Sequence, residues 1–283
     1  MLKQDHRAGS YKLIGDIQKF IPSVLPPDNP PLLTNGIENS KLYNDVMYEL
    51  GGLNAVTDLI PDIDAFLKGY MKKEAVLSCQ IEGSEATLKD VFLGKAEKRD
   101  MSDVMACSDA LNQSLGKVIN EDFPIVERII RESHATLLAH YEGHGTPGEY
   151  RTGNVYIGGT SEKTASYNPP ECIEIARLMR NLEEFVNTDY GLSPLVVAGV
   201  AHVQFEMIHP FWDGNGRVGR LLILMILCKS GILAKPALYL SYYFKKHRQD
   251  YYRYLSKVSR EGQWEEWLEF FFNAVLDSAR DAV

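Results

Sequence analysis

The chain has 283 residues, 45% of them hydrophobic, which is enough to bury a substantial core as one large domain or as a core with appended helical parts. Thirty-eight acidic side chains against 30 Lys and Arg leave a net charge of −8, so non-specific attraction to nucleic acid is an unlikely driver of its biology. The cysteines Cys79, Cys107, Cys172 and Cys228 stand singly with no CxxC pair; this argues against a zinc ribbon or disulfide framework and suits a reducing compartment.

In chain order, the N-terminus "MLKQDHRAGSYKLIGDIQKF" holds no continuous apolar stretch and predicts no signal peptide. The proline-rich "FIPSVLPPDNPPLL" (20–33) predicts an extended arm. From about Ser40 to Gly116 the pattern is mainly helical, clearest in "DIDAFLKGYMKKEAVLSCQIEG", where Ile63, Phe66, Leu67, Tyr70, Met71, Ala75 and Ile81 recur at three- and four-residue steps. "FPIVERIIRESHATLLAHY" (123–141) predicts another amphipathic helix, with Pro124 in its first turn. The character then changes. "GEYRTGNVYIGGTSEKTASYNPP" (148–170) alternates Val155 and Ile157 between glycines and is the best hairpin candidate in the chain. Helical periodicity returns at 171–187 and 193–209, after Gly214, and in two C-terminal helices. The apolar run "LLILMILC" (221–228) is too short for a bilayer at ~20 residues and reads as a buried helix; the protein is expected to be soluble, off the membrane and cytoplasmic. The expected architecture is all-α with one small β-hairpin. Three regions are expected: an arm and helical region over 1–120, a core over 121–245 and C-terminal helices over 246–283.

The stretch "HPFWDGNGRVGR" (209–220) stands between apolar segments. "GNGRVG" matches a dinucleotide fingerprint, but it follows a helix rather than a strand of a βαβ unit. His202 and His209 form no H-E-x-x-H, and no Walker-type loop occurs. What remains is a loop feeding a helix N-terminus. Gly214 and Gly216 let the backbone approach a ligand, and the free N–H groups of the first turn form an anion cradle. Arg217 and Arg220 are neighbours on one helix face, suited to a polyphosphate. Asp213 stands where a carboxylate can hold Mg²⁺ against phosphates, and His209 offers a base titrating near neutrality.

His209-Pro-Phe-x-x-Gly214-Asn-Gly-Arg217-x-x-Arg220 resembles the complete signature of the Fic family, and the likeness extends over most of residues 20–280. The resemblance implies a Fic-type helical core with a β-hairpin flap, and transfer of AMP from ATP to a Ser, Thr or Tyr hydroxyl of a protein substrate. It implies His209 as general base, Asp213 as Mg²⁺ ligand, and Asn215 with the amides around Gly214 and Gly216 on the α- and β-phosphates. Arg217 would meet the β-phosphate and Arg220 the γ-phosphate. Val155, Tyr156 and Ile157 would form the edge of the flap that pairs with an extended piece of the target. A homo-oligomer is compatible with all of this. Phe211 is expected to pack in the core, and Glu206 to be structural.

"SCQIEG" (78–83) resembles the inhibitory pattern of the subclass whose inhibitory helix precedes the core. Ser78 and Glu82 share a helix face, and Gly83 is placed as a C′ glycine. Glu82 is expected to pair with Arg220 and deny it to the γ-phosphate. Two departures stand out: His247 replaces an Asn in "HRQDYY", and the chain ends at Val283 without a following winged-helix segment. Intact glycines at 214 and 216 favour adenylyl transfer over the kinase and phosphocholine-transferase variants of the signature. Removal of AMP from a modified protein, and a non-enzymatic nucleotide-binding module, stay open at this level.

Overall fold

The computed structural model describes residues 5–28, 31–32, 34–140 and 143–282. Along them run β1 (Gly9–Ile14), β2 (Ile17–Pro22), α1 (Thr34–Glu38), α2 (Lys41–Asp58), α3 (Ile63–Ile81), α4 (Leu88–Leu93), α5 (Lys98–Asn120) and α6 (Glu127–Leu137). There follow α7 (Cys172–Asn187), α8 (Pro194–Ile208), α9 (Asn215–Lys229), α10 (Leu240–Lys246), α11 (Arg248–Glu261) and α12 (Trp264–Ala282). The fold is mostly helical with a small two-stranded antiparallel hairpin, as expected.

Two helices without a polar face set the centre. Ser193 caps α8 by accepting from Val196 N–H, with Pro194 opening the first turn, and nearly every residue from Leu195 to Ile208 is buried. In α9 the whole run Leu221–Cys228 is buried. Such helices must be sheathed on all sides. The antiparallel pair is wrapped by α5, α6, α7 and α12, whose apolar stripes face inward. Trp267 of α12 is fully buried and donates its indole N–H to Gly199 O at 2.9 Å. No described helix is long and apolar enough to cross a membrane.

The hairpin is not where the alternation placed it. Within 148–170 the only ladder contact is an isolated bridge between Ile157 and Tyr167. The physical reason is local competition: the Thr164 hydroxyl accepts from Thr160 and Ser161 N–H at 3.0 and 3.1 Å, so donors that would form a ladder close a loop instead. The true hairpin is β1–β2, paired from Gly9↔Pro22 to Ile14↔Ile17 around the two-residue turn Gly15–Asp16. Phe20, Ile21 and Pro22, expected in an extended arm, are therefore strand; Asn29, Pro30 and Leu33 of that arm lie outside the described residues. β2 also receives the 153–170 loop, with Phe20 N–H donating to Asn168 O at 3.0 Å. On its other side the hairpin segment is tied to the C-terminal helices, Tyr11 Oη donating to Ser259 O and Arg7 Nε to Gly262 O, both at 2.7 Å. α6 begins later than expected, at Glu127, leaving Pro124 ahead of the helix; Tyr141 is outside the described residues.

Candidate active site

His209 ends α8 in a left-handed conformation (φ 49°, ψ 60°), uncommon for a residue with a Cβ, while its N–H still bonds Phe205 O at 2.9 Å. The chain turns through 210–214 and enters α9 at Gly214 (φ 75°), where the missing side chain removes the steric cost of that backbone. Phe211 is fully buried and stacks on the His134 ring at 3.7 Å, so it anchors the loop as expected. His134 was not visible as a site residue. Its Nδ1 accepts from Gly148 N–H at 2.8 Å, which leaves Nε2 protonated to donate to Asp213 O at 3.0 Å. Burial pulls its pKa down to about 4, so the ring stays neutral while pinning the loop from below.

Asn215 departs from its expected place. Its Nδ2 donates to Phe211 O and its Oδ1 accepts from Phe211 N–H, both at 2.9 Å, so the side chain shapes the loop, while its main-chain N–H is left for an anion. Asn215→Ala should therefore cost about 1–3 kcal/mol in chemical denaturation, a loss in stability that a purely phosphate-facing side chain would not produce.

The first intrahelical bond of α9 runs from Val218 N–H to Gly214 O at 3.0 Å. The amides of Asn215, Gly216 and Arg217 thus lack helical acceptors and, with the helix dipole, form the cradle. Arg217 is 9% exposed; its Nη2 lies 3.6 Å from Asp213 Oδ1, and its buried Nε has no partner. Asp213 is half-exposed at the lip, its Oδ1 accepting from Gly214 N–H at 2.5 Å. One outward carboxylate beside an anion cradle fits Mg²⁺, which binds proteins through one or two carboxylates plus phosphate oxygens and water.

Arg220 is buried and held through its Nε and Nη2. Its Nε donates to Ser78 Oγ at 2.9 Å, and its Nη2 to Ser78 O at 3.0 Å and to Glu82 Oε1 at 2.8 Å. The partner arrives because α3 ends here in a Schellman motif, Gly83 N–H bonding Gln80 O and Ser84 N–H bonding Cys79 O. Upstream on α3, the fully buried Glu74 accepts from Ser241 N–H at 3.1 Å and from its hydroxyl, fastening α3 to the start of α10; burial pushes the Glu74 pKa up to about 7. At Gly216 any Cβ would overlap Glu82 Oε1, so the carboxylate rests against the first turn of α9. The negative end of α3 and its carboxylate meet the positive end of α9. Burial alone would raise the Glu82 pKa, but the charge and hydrogen bond of Arg220, helped by Arg217 and His209, hold it below the usual carboxylate range.

Glu82, His209, Gly216 and Arg220 share a cavity of about 460 Å³ whose far wall is Tyr251 and Tyr252 of α11. Ile157 and Gly158 reach it from the 153–170 loop; Val155 and Tyr156 do not line it, and exposed Tyr156 donates its hydroxyl to Thr160 O at 3.2 Å. Glu206 lies there too, with Oε1 buried and unpartnered. Burial lifts its pKa to about 8, opposed by Arg220 and reinforced by Glu82. Burial also draws the His209 pKa down to about 4, aided by Arg151 and opposed by the Glu206 carbonyl, Glu82 and Asp213. The imidazole is therefore neutral at pH 7. Its Nδ1 is buried, the Glu206 carbonyl stands against the ring, and His209 lines the cavity. His247 packs at a tilt against Tyr243, ring centroids 4.3 Å apart, and does not line the cavity, whereas its neighbour Arg248 does.

A helical core whose central loop presents an anion cradle, with the chain's own carboxylate set against it, can be compared with known proteins. Residues 124–227 match the model of the Fic/DOC family and residues 40–115 that of the Fic/DOC family N-terminal region. Over 216 residues the chain is 32% identical to the protein adenylyltransferase Fic of Drosophila willistoni, covering 70% of this chain and 40% of that protein. With the protein of the same name from Aedes aegypti it is 30% identical over 174 residues, 60% of this chain and 31% of the relative. The chain thus spans about two-fifths or less of the length of these curated relatives. The crystal structure of a Fic family protein from Desulfovibrio desulfuricans G20 superposes with a TM-score of 0.69 at 26% identity, covering 86% of this chain and 74% of that one. Fic-1 from C. elegans shares the fold with a TM-score of 0.64 at 20% identity, over 84% and 71% of the two chains. The chain belongs to the Fic/DOC family.

Proposed function

We propose that the chain is a protein adenylyltransferase that moves AMP from ATP to a Ser, Thr or Tyr hydroxyl of a protein substrate and is held in check by Glu82. The observation that carries this is the Glu82 carboxylate resting on the first turn of α9 and pairing with Arg220, where an anionic group of the substrate would otherwise sit. The relatives named protein adenylyltransferase support the reaction type. In this reading Nε2 of neutral His209 takes the proton of the attacking hydroxyl. The hydroxyl oxygen forms the new bond to the α-phosphorus, and the bond to the leaving pyrophosphate breaks. The amides of 215–217, Arg217 and a freed Arg220 face the phosphates and offset the charge gathering on them. Mg²⁺ held by Asp213 would neutralise phosphate charge when bound. A reducing, cytoplasmic setting fits four unbridged cysteines.

Incubation with ATP and Mg²⁺ followed by intact-mass measurement tests the reading. Added AMP supports it; added phosphate would make the chain a kinase, and nucleotide retained without covalent label would make it a binding module. Because Glu82 and His209 line one cavity, hydrolytic removal of AMP from a modified protein is the second reading. Release of AMP from a pre-modified target by the unmutated chain would establish it.

The brake has a graded component. Ser78→Ala removes the acceptor of Arg220 Nε but leaves Ser78 O and Glu82 in place. At about 0.5–1.5 kcal/mol for one hydrogen bond, labelling by this variant should rise roughly 2- to 10-fold in a rate assay.

A further inference from the structure

Behind His209 lies an arginine that the phosphates never meet. Arg151 is 2% exposed, and among the described residues it forms no ion pair. Its guanidinium is satisfied entirely by carbonyls. Nε donates to His209 O at 2.8 Å and Nη2 to Ile208 O at 3.4 Å, the last carbonyls of α8. Nη1 donates to Gly153 O at 2.8 Å and Nη2 also to Pro170 O at 2.7 Å, the two stems of the loop that carries Ile157 and Gly158 to the cavity. Its own N–H bonds Pro210 O at 2.9 Å. Buried arginines ordinarily find a carboxylate; an unpaired cation in this position needs a reason.

We propose that Arg151 is a positioning residue for transfer: one planar fork holds the backbone of the base in its left-handed turn and closes both stems of the facing loop. This rests on the reading of His209 as the base. The imidazole direction is set by the backbone at 209, and the cation capping the α8 carbonyls stabilises that turn where the helix would otherwise leave acceptors open. The loop stems are registered on the same group, so base and loop keep a common frame. Lysine, with one rotating ammonium, cannot serve four acceptors spread in a plane.

The cation has a second effect that a mere strut lacks. The groups facing His209 are the Glu206 carbonyl from α8, Asp213 from the loop, Glu82 from the end of α3 and Arg151 from the loop stem, with the Glu206 carboxyl, Arg220, Arg248, Tyr167, Tyr251 and Tyr252 around the shared cavity. Arg151 opposes protonation of the imidazole, and no carboxylate neutralises it. Its removal therefore raises the His209 titration midpoint, whereas exchange for lysine keeps the charge and leaves that midpoint in place.

The test uses the full chain, with Glu82→Gly as background for rates. Arg151→Lys and Arg151→Gln are compared by kcat and KM for ATP, by the pH profile of labelling, by the NMR titration of the His209 ring (assigned with a His209→Gln spectrum) and by thermal unfolding. Both variants are expected to lose about 100-fold in kcat, with KM for ATP changed less than about threefold. In Arg151→Gln alone, the His209 midpoint and the acid limb of the rate move upward together. The proposal is overturned by kcat within threefold of background in both variants, by an unmoved His209 midpoint in Arg151→Gln, or by global unfolding of both proteins. Absence of AMP transfer from the background itself would remove the functional reading, while the NMR midpoints would still decide whether Arg151 tunes the imidazole.

Discussion

Glu82→Gly should raise covalent labelling from ATP by about 10- to 100-fold over the unmutated chain, with a parallel gain in nucleotide affinity. In the proposed brake, a two-state balance, Arg220 serves either the carboxylate of its own chain or a phosphate. Removing the carboxylate leaves Arg220 tied to Ser78 alone, and the first turn of α9 open. A coupling of ~1–3 kcal/mol corresponds to the stated factor. Isothermal titration with a non-hydrolysable ATP analogue and intact-mass labelling read the two quantities separately. Unchanged values in both would mean that Glu82 is a bystander. The pair should hold across ordinary pH: the Glu82 pKa is depressed, so the stabilisation is present above the normal carboxylate range and disappears only as pH falls through the lowered value.

The second large effect concerns His209. In the Glu82→Gly background, His209→Ala should reduce labelling about 10²- to 10⁴-fold, with circular dichroism and nucleotide affinity retained, since the one polar contact of the ring that is lost is with the Glu206 carbonyl. Residual labelling within threefold of the background would end the assignment of the base. The pH profile carries the same information. With the imidazole midpoint drawn down to about 4, its base form is already present at pH 5.5, so the acid limb should fall near that lowered midpoint rather than at the ordinary histidine value.

Legibility in the sequence followed the range of the interactions. The start of α9 was readable because Gly-Asn-Gly-Arg suits no helix or strand interior, and the meeting of Glu82 with Arg220 was anticipated from the resemblance of "SCQIEG" to an inhibitory pattern, with Ser78, Glu82 and Gly83 at the end of one amphipathic helix as support. Phe211 as an anchor was equally plain. What escaped were contacts made across the fold. His134 pins the 209–214 loop from a helix distant in sequence, and Arg151 caps α8 from an intervening loop; neither has a local signature. Asn215 was assigned to phosphate through the resemblance; that its amide also matches both polar groups of Phe211 has no local signature. The hairpin was misplaced for a different reason. Alternation at 155–157 outweighed the hydroxyls that follow, whereas Gly15–Asp16 between alternating residues was the better turn signal.

The anchoring of α3 at Glu74 has a consequence for regulation. With that carboxylate sealed between α3 and Ser241, and with Cys79 and Ile81 of the last turn buried as well, the helix is bolted along its length, and the group with room to move is the half-exposed Glu82 side chain beyond it. In the proposed brake a trigger would have only to turn one half-exposed carboxylate away from Arg220, on the fast timescale of side-chain rotation, rather than dislodge a long rod. Sensitivity to a small push at the tip is built into the way its root is clamped.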